Sequence, residues 1–122
     1  MEHLSTNVIL TRGASFEGRL SFEGIARLCG RFKGEIVSEG VLIIEPEAQV
    51  EAKIFIGKLI LKGRMKGEVK AQQGIKLLSG SEFYGVLDTA QLYVEQGALF
   101  EGASVKTMKK KILKKEGAES SK

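Results

Sequence analysis

Phe32-Lys33-Gly34-Glu35-Ile36 and Met65-Lys66-Gly67-Glu68-Val69 are two copies of one five-residue phrase. An apolar residue is followed by a charge, a small residue, a second charge and another apolar residue. The phrase recurs as Phe16-Glu17-Gly18-Arg19-Leu20 and Val50-Glu51-Ala52-Lys53-Ile54. Looser copies are Phe83-Tyr84-Gly85-Val86-Leu87 and Phe100-Glu101-Gly102-Ala103-Ser104. The leading residues lie 16, 18, 15, 18 and 17 positions apart. A period of this size marks a repeat architecture whose units bury their apolar faces only by stacking on one another.

Working outward from the phrase, the glycines fall into columns. One is the small residue of the phrase itself. A second reads Gly13, Gly30, Glu47, Gly63, Gly80 and Gly97, and a third Gly24, Gly40, Gly57, Gly74 and Ala90. Three such points per period leave pieces too short for independent helices and rich in β-branched residues, so they read as strands. Three short strands and three bends per turn describe an all-β, parallel β-helix of about six rungs. At the usual strand spacing of about 4.8 Å its rod is roughly 29 Å long.

Stacking makes a test that the residues answer. The position before the small residue runs Glu17, Lys33, Glu51, Lys66, Tyr84, Glu101, and the position after it Arg19, Glu35, Lys53, Glu68, Val86, Ala103. Over four rungs the sign alternates in both columns, so like charges never face one another across the sheet. The apolar positions form ladders as well. One is Phe16, Phe32, Val50, Met65, Phe83, Phe100, and a second Leu20, Ile36, Ile54, Val69, Leu87. A third is Ala26, Leu42, Leu59, Ile75, Leu92, with Leu28, Ile44, Leu61, Leu77, Val94 beside it. Alternation then turns Ile43, Ile60 and Tyr93 outward on one face and Tyr84 with Val86 on another, two candidate partner patches.

The body, residues 13–105, is flanked by residues 1–12, a flexible segment or partial first strand containing Val8 and Leu10, and by a lysine-rich tail, 106–122. Seven of the 19 basic residues and two of the 15 acidic ones lie in that tail, which leaves 12 basic and 13 acidic groups in residues 1–105. The basicity therefore belongs to the tail, where Lys109, Lys110, Lys111, Lys114 and Lys115 could touch an anionic lipid surface. Met108 and Ile112 are one helical turn apart, so this stretch reads as a short helix or a mobile arm. The near-neutral body lacks the basic, aromatic-studded face of a nucleic-acid binder, and nucleic acid is not an expected partner.

The expected chemistry is non-enzymatic. The sole histidine is His3 and the sole aspartate Asp88, and no phosphate-loop, calcium-repeat or Cys/His metal spacing occurs. No catalytic, metal or cofactor residues are assigned and no cofactor is expected. One cysteine, Cys29, and no long apolar stretch point to a cytoplasmic protein. A rod of this kind ends in unpaired strand edges and an open slice of core, which recruit further strands. Leu99 and Phe100 mark one end, Val8 and Leu10 the other, so stacking of poles into a filament is the leading expectation. The alternatives are a capped β-helix that recruits a partner through Ile43/Ile60 or Tyr84/Val86, and a membrane- or nucleic-acid-associated module working through its lysines.

The multi-copy pattern, with Gly30-Arg31-Phe32-Lys33-Gly34-Glu35-Ile36, Gly40-Val41-Leu42-Ile43-Ile44-Glu45, Gly63-Arg64-Met65-Lys66-Gly67-Glu68-Val69 and Glu95-Gln96-Gly97-Ala98-Leu99-Phe100-Glu101-Gly102, resembles the core of the bactofilins over residues 13–105. The resemblance implies a right-handed, three-faced β-helix that assembles without nucleotide into apolar filaments. It also implies a scaffold for cell-wall enzymes or cell-shape machinery, often beneath the inner membrane, with Phe100 at the position important for polymerisation.

Overall fold

A computed structural model of the chain describes residues 6–105 and 109–112. All regular elements among these residues are strands, and all of their pairings are parallel. A long strand and a short one alternate: β1 (Thr6–Leu10), β2 (Ser15–Ser21), β3 (Ile25–Leu28), β4 (Arg31–Val37) and β5 (Val41–Ile44). β6 (Gln49–Leu61) and β7 (Arg64–Leu77) run through both positions of their turn. β8 (Glu82–Thr89), β9 (Gln91–Val94), β10 (Leu99–Val105) and β11 (Lys109–Ile112) complete the chain. Each strand pairs with its counterpart one period away, so the single sheet winds into a β-solenoid of about six turns.

The register is the one that the charges and ladders predict. Phe16 pairs Phe32, Phe32 Val50, Val50 Met65, Met65 Phe83 and Phe83 Phe100. Glu17–Lys33–Glu51–Lys66 and Arg19–Glu35–Lys53–Glu68 are likewise successive partners, and Arg19 reaches Glu35 at 3.6 Å. The ladders make the core, with Phe83, Ile36, Leu42, Leu59, Leu61, Met65 and Leu77 fully buried. Each large side chain so buried stabilises the rod by about 1.5–3 kcal/mol.

Two local rules shape each turn. In the middle of the long strand, Gly18, Gly34, Gly67, Gly85 and Gly102 take φ values of 136–144°, a region that side chains rarely adopt. The expected three short strands per rung are in the structure one long strand and one short strand per turn. A Cβ at Gly34 would collide with the carbonyl oxygen of Gly18, and one at Gly85 with that of Gly67. The glycines of this column let successive turns touch backbone to backbone, and Ala52 holds the same column between Gly34 and Gly67.

The corner before each long strand comes in two sizes, which corrects one glycine column. Residues 11–14, 45–48, 78–81 and 95–98 are four-residue turns, each closed by a hydrogen bond of 2.9–3.1 Å from the fourth N–H to the first carbonyl. Cys29-Gly30 and Lys62-Gly63 are two-residue corners. Their register sets Gly30 and Gly63 level with Ala14, Ala48, Ser81 and Ala98, not with Gly13, Glu47, Gly80 and Gly97. A Cβ at Gly30 would strike the Ala14 carbonyl, and one at Gly63 the Glu45 carbonyl, because the short corner nests inside the longer turn before it. These sizes account for much of the drift in spacing. A register shift between Ile56 and Lys58 adds to it and sets Gly74 level with Lys58, one place beyond Gly57.

The C-terminal stretch differs from its helical spacing. Lys109–Ile112 is a strand, paired with Gln91, Leu92, Tyr93 and Val94 of β9. An existing edge supplies hydrogen-bond partners in a fixed register, whereas a helix of this length would have to nucleate alone. Lys114 and Lys115 lie outside the described residues.

Candidate assembly interface

The first turn of the solenoid is β1 and β2. Among the described residues β1 pairs only β3 and β2 only β4, so their outer edges carry open rows of backbone donors and acceptors. Val8 and Leu10 sit in register with Ala26 and Leu28, at the top of two inward ladders. Both are half-buried against the core, as are Leu20 and Phe22. Phe16 tops the aromatic ladder. Its ring stacks on Phe32 with centroids 5.2 Å apart and planes 10° apart, yet 40% of the residue remains exposed.

Phe16 is a pole residue that reading for terminal strands overlooks. The signal was available, since the first copy of the phrase has no copy above it. Ile9, 59% exposed, lies between Val8 and Leu10 and faces away from the core, in register with Arg27.

The opposite pole is β10 and β11. Phe100 is half-buried and lies 5.7 Å from Phe83 at a tilt of 59°, while Leu99 is 39% exposed. β10 pairs only β8 among the described residues, so its outer edge is open as well. Lys109, Lys110 and Lys111 occupy β11 beside β9.

The lateral candidates fall into separate places. Ile43 and Ile60 are direct partners on the short-strand face, both half-buried. Tyr93 continues their column beyond Lys76, whose ammonium lies 5.7 Å from the Tyr93 ring centre. Tyr84 and Val86 flank Gly85 on the long-strand face. The Tyr84 hydroxyl donates to Glu82 Oε1 at 2.8 Å, and Arg64 reaches the same oxygen at 3.2 Å. That hydrogen bond, with some desolvation, raises the phenol's pKa above its ordinary value. This cluster is a satisfied polar network on the rod's flank.

Open strand edges and bare ladder ends together can do one thing chemically: continue a sheet and a core into another strand-bearing surface. A family model described as "Bactofilin: Polymer-forming cytoskeletal" matches residues 8–105. Bactofilin BacP of Myxococcus xanthus (strain DK1622) is 25% identical over 96 residues, which cover 79% of this chain and 40% of that protein. Bactofilin BacO of the same organism is 24% identical over 99 residues, 81% of this chain and 79% of that protein. The chain therefore spans well under half the length of the first relative and most of the second. No solved structure matches it significantly.

Proposed function

The chain belongs to the bactofilin family of polymer-forming cytoskeletal proteins, and on that premise we propose that it is a non-enzymatic scaffold assembling without nucleotide, pole to pole, into filaments. The observation that carries this reading is the state of the two ends. Phe16 at one pole is 40% exposed and Phe100 at the other is only half-buried, each an end member of the same inward ladder on a strand whose outer edge is open among the described residues. A solenoid buries such a slice only by adding a cap or another turn. A second subunit supplies the turn without any cofactor.

The filament would organise cell-wall or cell-shape machinery as a homopolymer in the cytoplasm. Scaffolded proteins would dock on its flanks, where Ile43/Ile60 and Tyr84/Val86 are the candidate patches. Contact with an anionic membrane surface would come from the lysines of the tail. The resemblance further implies filaments without polarity.

The test is Phe100→Arg, which sets a charge into the terminal ladder. Sedimentation and negative-stain electron microscopy should show loss of filaments, while circular dichroism keeps its β-rich spectrum. Unaltered filaments would remove Phe100 from the contact. Wild-type protein that stays monomeric at every concentration and salt would overturn the assembly reading itself.

A further inference from the structure

Every other glycine among the described residues has a positive φ or a backbone atom in collision distance of an added Cβ, and Gly74 has neither. The nearest atom to a Cβ built there is the Gln91 carbonyl oxygen at 3.4 Å, an ordinary contact. Glycine weakens a strand interior, and where the fold does not require it, it marks a place that something else approaches. The missing side chain opens a notch of about 500 Å³ on the short-strand face. Lys58 borders it one turn before and Gln91 one turn after. Lys76, two residues along the same strand, borders it with Tyr93 beyond. Two ammonium groups, a carboxamide and a phenol thus surround a floor of Gly74, Ile75 and Leu92. Neither Lys58 nor Lys76 forms an ion pair among the described residues. Such a set of donors without a carboxylate suits an anion.

The surroundings of the notch have the same sign. On the long strands the alternating columns cancel in charge, as do Arg31 and Arg64 against Glu82 and Glu101, and Lys70 against Asp88. The outward columns of the short strands, Arg27–Ile43–Ile60–Lys76–Tyr93 and Ile25–Val41–Lys58–Gly74–Gln91, hold no carboxylate. Lys109 and Lys111 continue them in register beyond Gln91 and Tyr93. Ile60, level with Lys76 and two residues from Lys58, joins Ile43 in a half-buried apolar patch beside the notch.

The occupant that matches is an acidic segment of another protein. One carboxylate would reach into the notch while an apolar neighbour rests on Ile43 and Ile60. The body of a second copy does not match, because its charges on the long strands cancel. A bilayer surface matches poorly as well. Glu39 and Glu47, exposed in the corners on either side of the short strands, would meet its anionic headgroups, and half-buried Ile43 and Ile60 have little to insert.

We propose that the notch over Gly74 is a carboxylate-binding site, through which the short-strand face recruits an acidic, apolar-bearing segment of a scaffolded protein. The inference rests on the scaffold reading above, selects Ile43/Ile60 over Tyr84/Val86 as the docking patch, and names the chemistry of its partner.

Fluorescence anisotropy on the full chain tests it. The probes are labelled hexapeptides in which glutamate alternates with leucine, isoleucine or phenylalanine, beside a matching lysine panel. Glutamate peptides should bind, lysine peptides should not, and added salt should weaken the binding. Gly74→Val fills the notch, and Lys58→Glu or Lys76→Glu reverses its charge; each should weaken binding at least tenfold. Gly74→Val should melt no lower than the wild type, since a β-branched residue suits a strand and its Cβ meets no clash. Val86→Ser, on the other patch, should leave binding unchanged. Binding that survives Gly74→Val, or a wild type that holds no glutamate peptide, overturns the site. Phosphatidylglycerol vesicles held by the wild type and released by Lys58→Glu, with no peptide bound, would give the face to lipid and overturn it too. Electron microscopy keeps the readings apart: filaments without peptide binding sink this site alone, and peptide binding without filaments sinks assembly alone.

Discussion

Gly34 stands on Gly18 with backbone against backbone, and its φ of 139° suits no other residue. Gly34→Ala must both strain the chain and push one turn off the next, at a cost of about 3–5 kcal/mol. Gly18→Ala shares the strain but meets only the Phe16 ring, so about 1–2 kcal/mol is expected. Urea denaturation of the two variants checks the difference, and equal losses would refute the stacking argument. At this scale some residues were legible and some were not. The phrase glycines announced themselves by their charged flanks. Gly30 and Gly80 looked alike in the sequence but serve different needs, a close approach in one and φ of 86° in the other. Residue type alone carries no sign of which.

A strand in this fold is one rung of several ladders, and its contribution depends on how many neighbours cover it. Ile54 in β6 is buried between Ile36 and Val69. Leu20 in β2 holds the same ladder position with, among the described residues, a neighbour on one side only. Ile54→Ala should cost about 2–5 kcal/mol. Leu20→Ala should cost less than half as much in the isolated subunit and be felt mainly in assembly. Thermal melts at dilute and concentrated protein distinguish the two effects. Strand pairing was readable because alternating charges and apolar ladders admit one register; a slip by one residue would turn every side chain over. β11 was unreadable for the converse reason. Its residues have little strand character of their own, and the edge of β9 sets their conformation.

For the molecule as a whole, stability is a sum of turns and the interfaces between them. The middle turns, β6 and β7, have neighbours on both sides, whereas β1, β2 and β10 have one among the described residues. Amide hydrogen exchange should be slowest in β6 and β7 and rise toward both poles, and assembly should slow it selectively in β1, β2 and β10. Uniform protection along the rod would contradict a solenoid with open ends. The sequence read the rod and its exposed slices from the period. It did not reveal that the poles are unequal, because β11 and the corner sizes emerge only in three dimensions. The strands lie across the rod axis, and the hydrogen bonds between them run along it. Tension spread over a whole cross-section loads every bond between two turns at once, so the rod is a stiff tie. A pull on β11 alone loads them one after another, peeling it from β9 and then β10 from β8. The same bonds that resist a stretch shared across the section therefore give way in sequence to a force on a single strand.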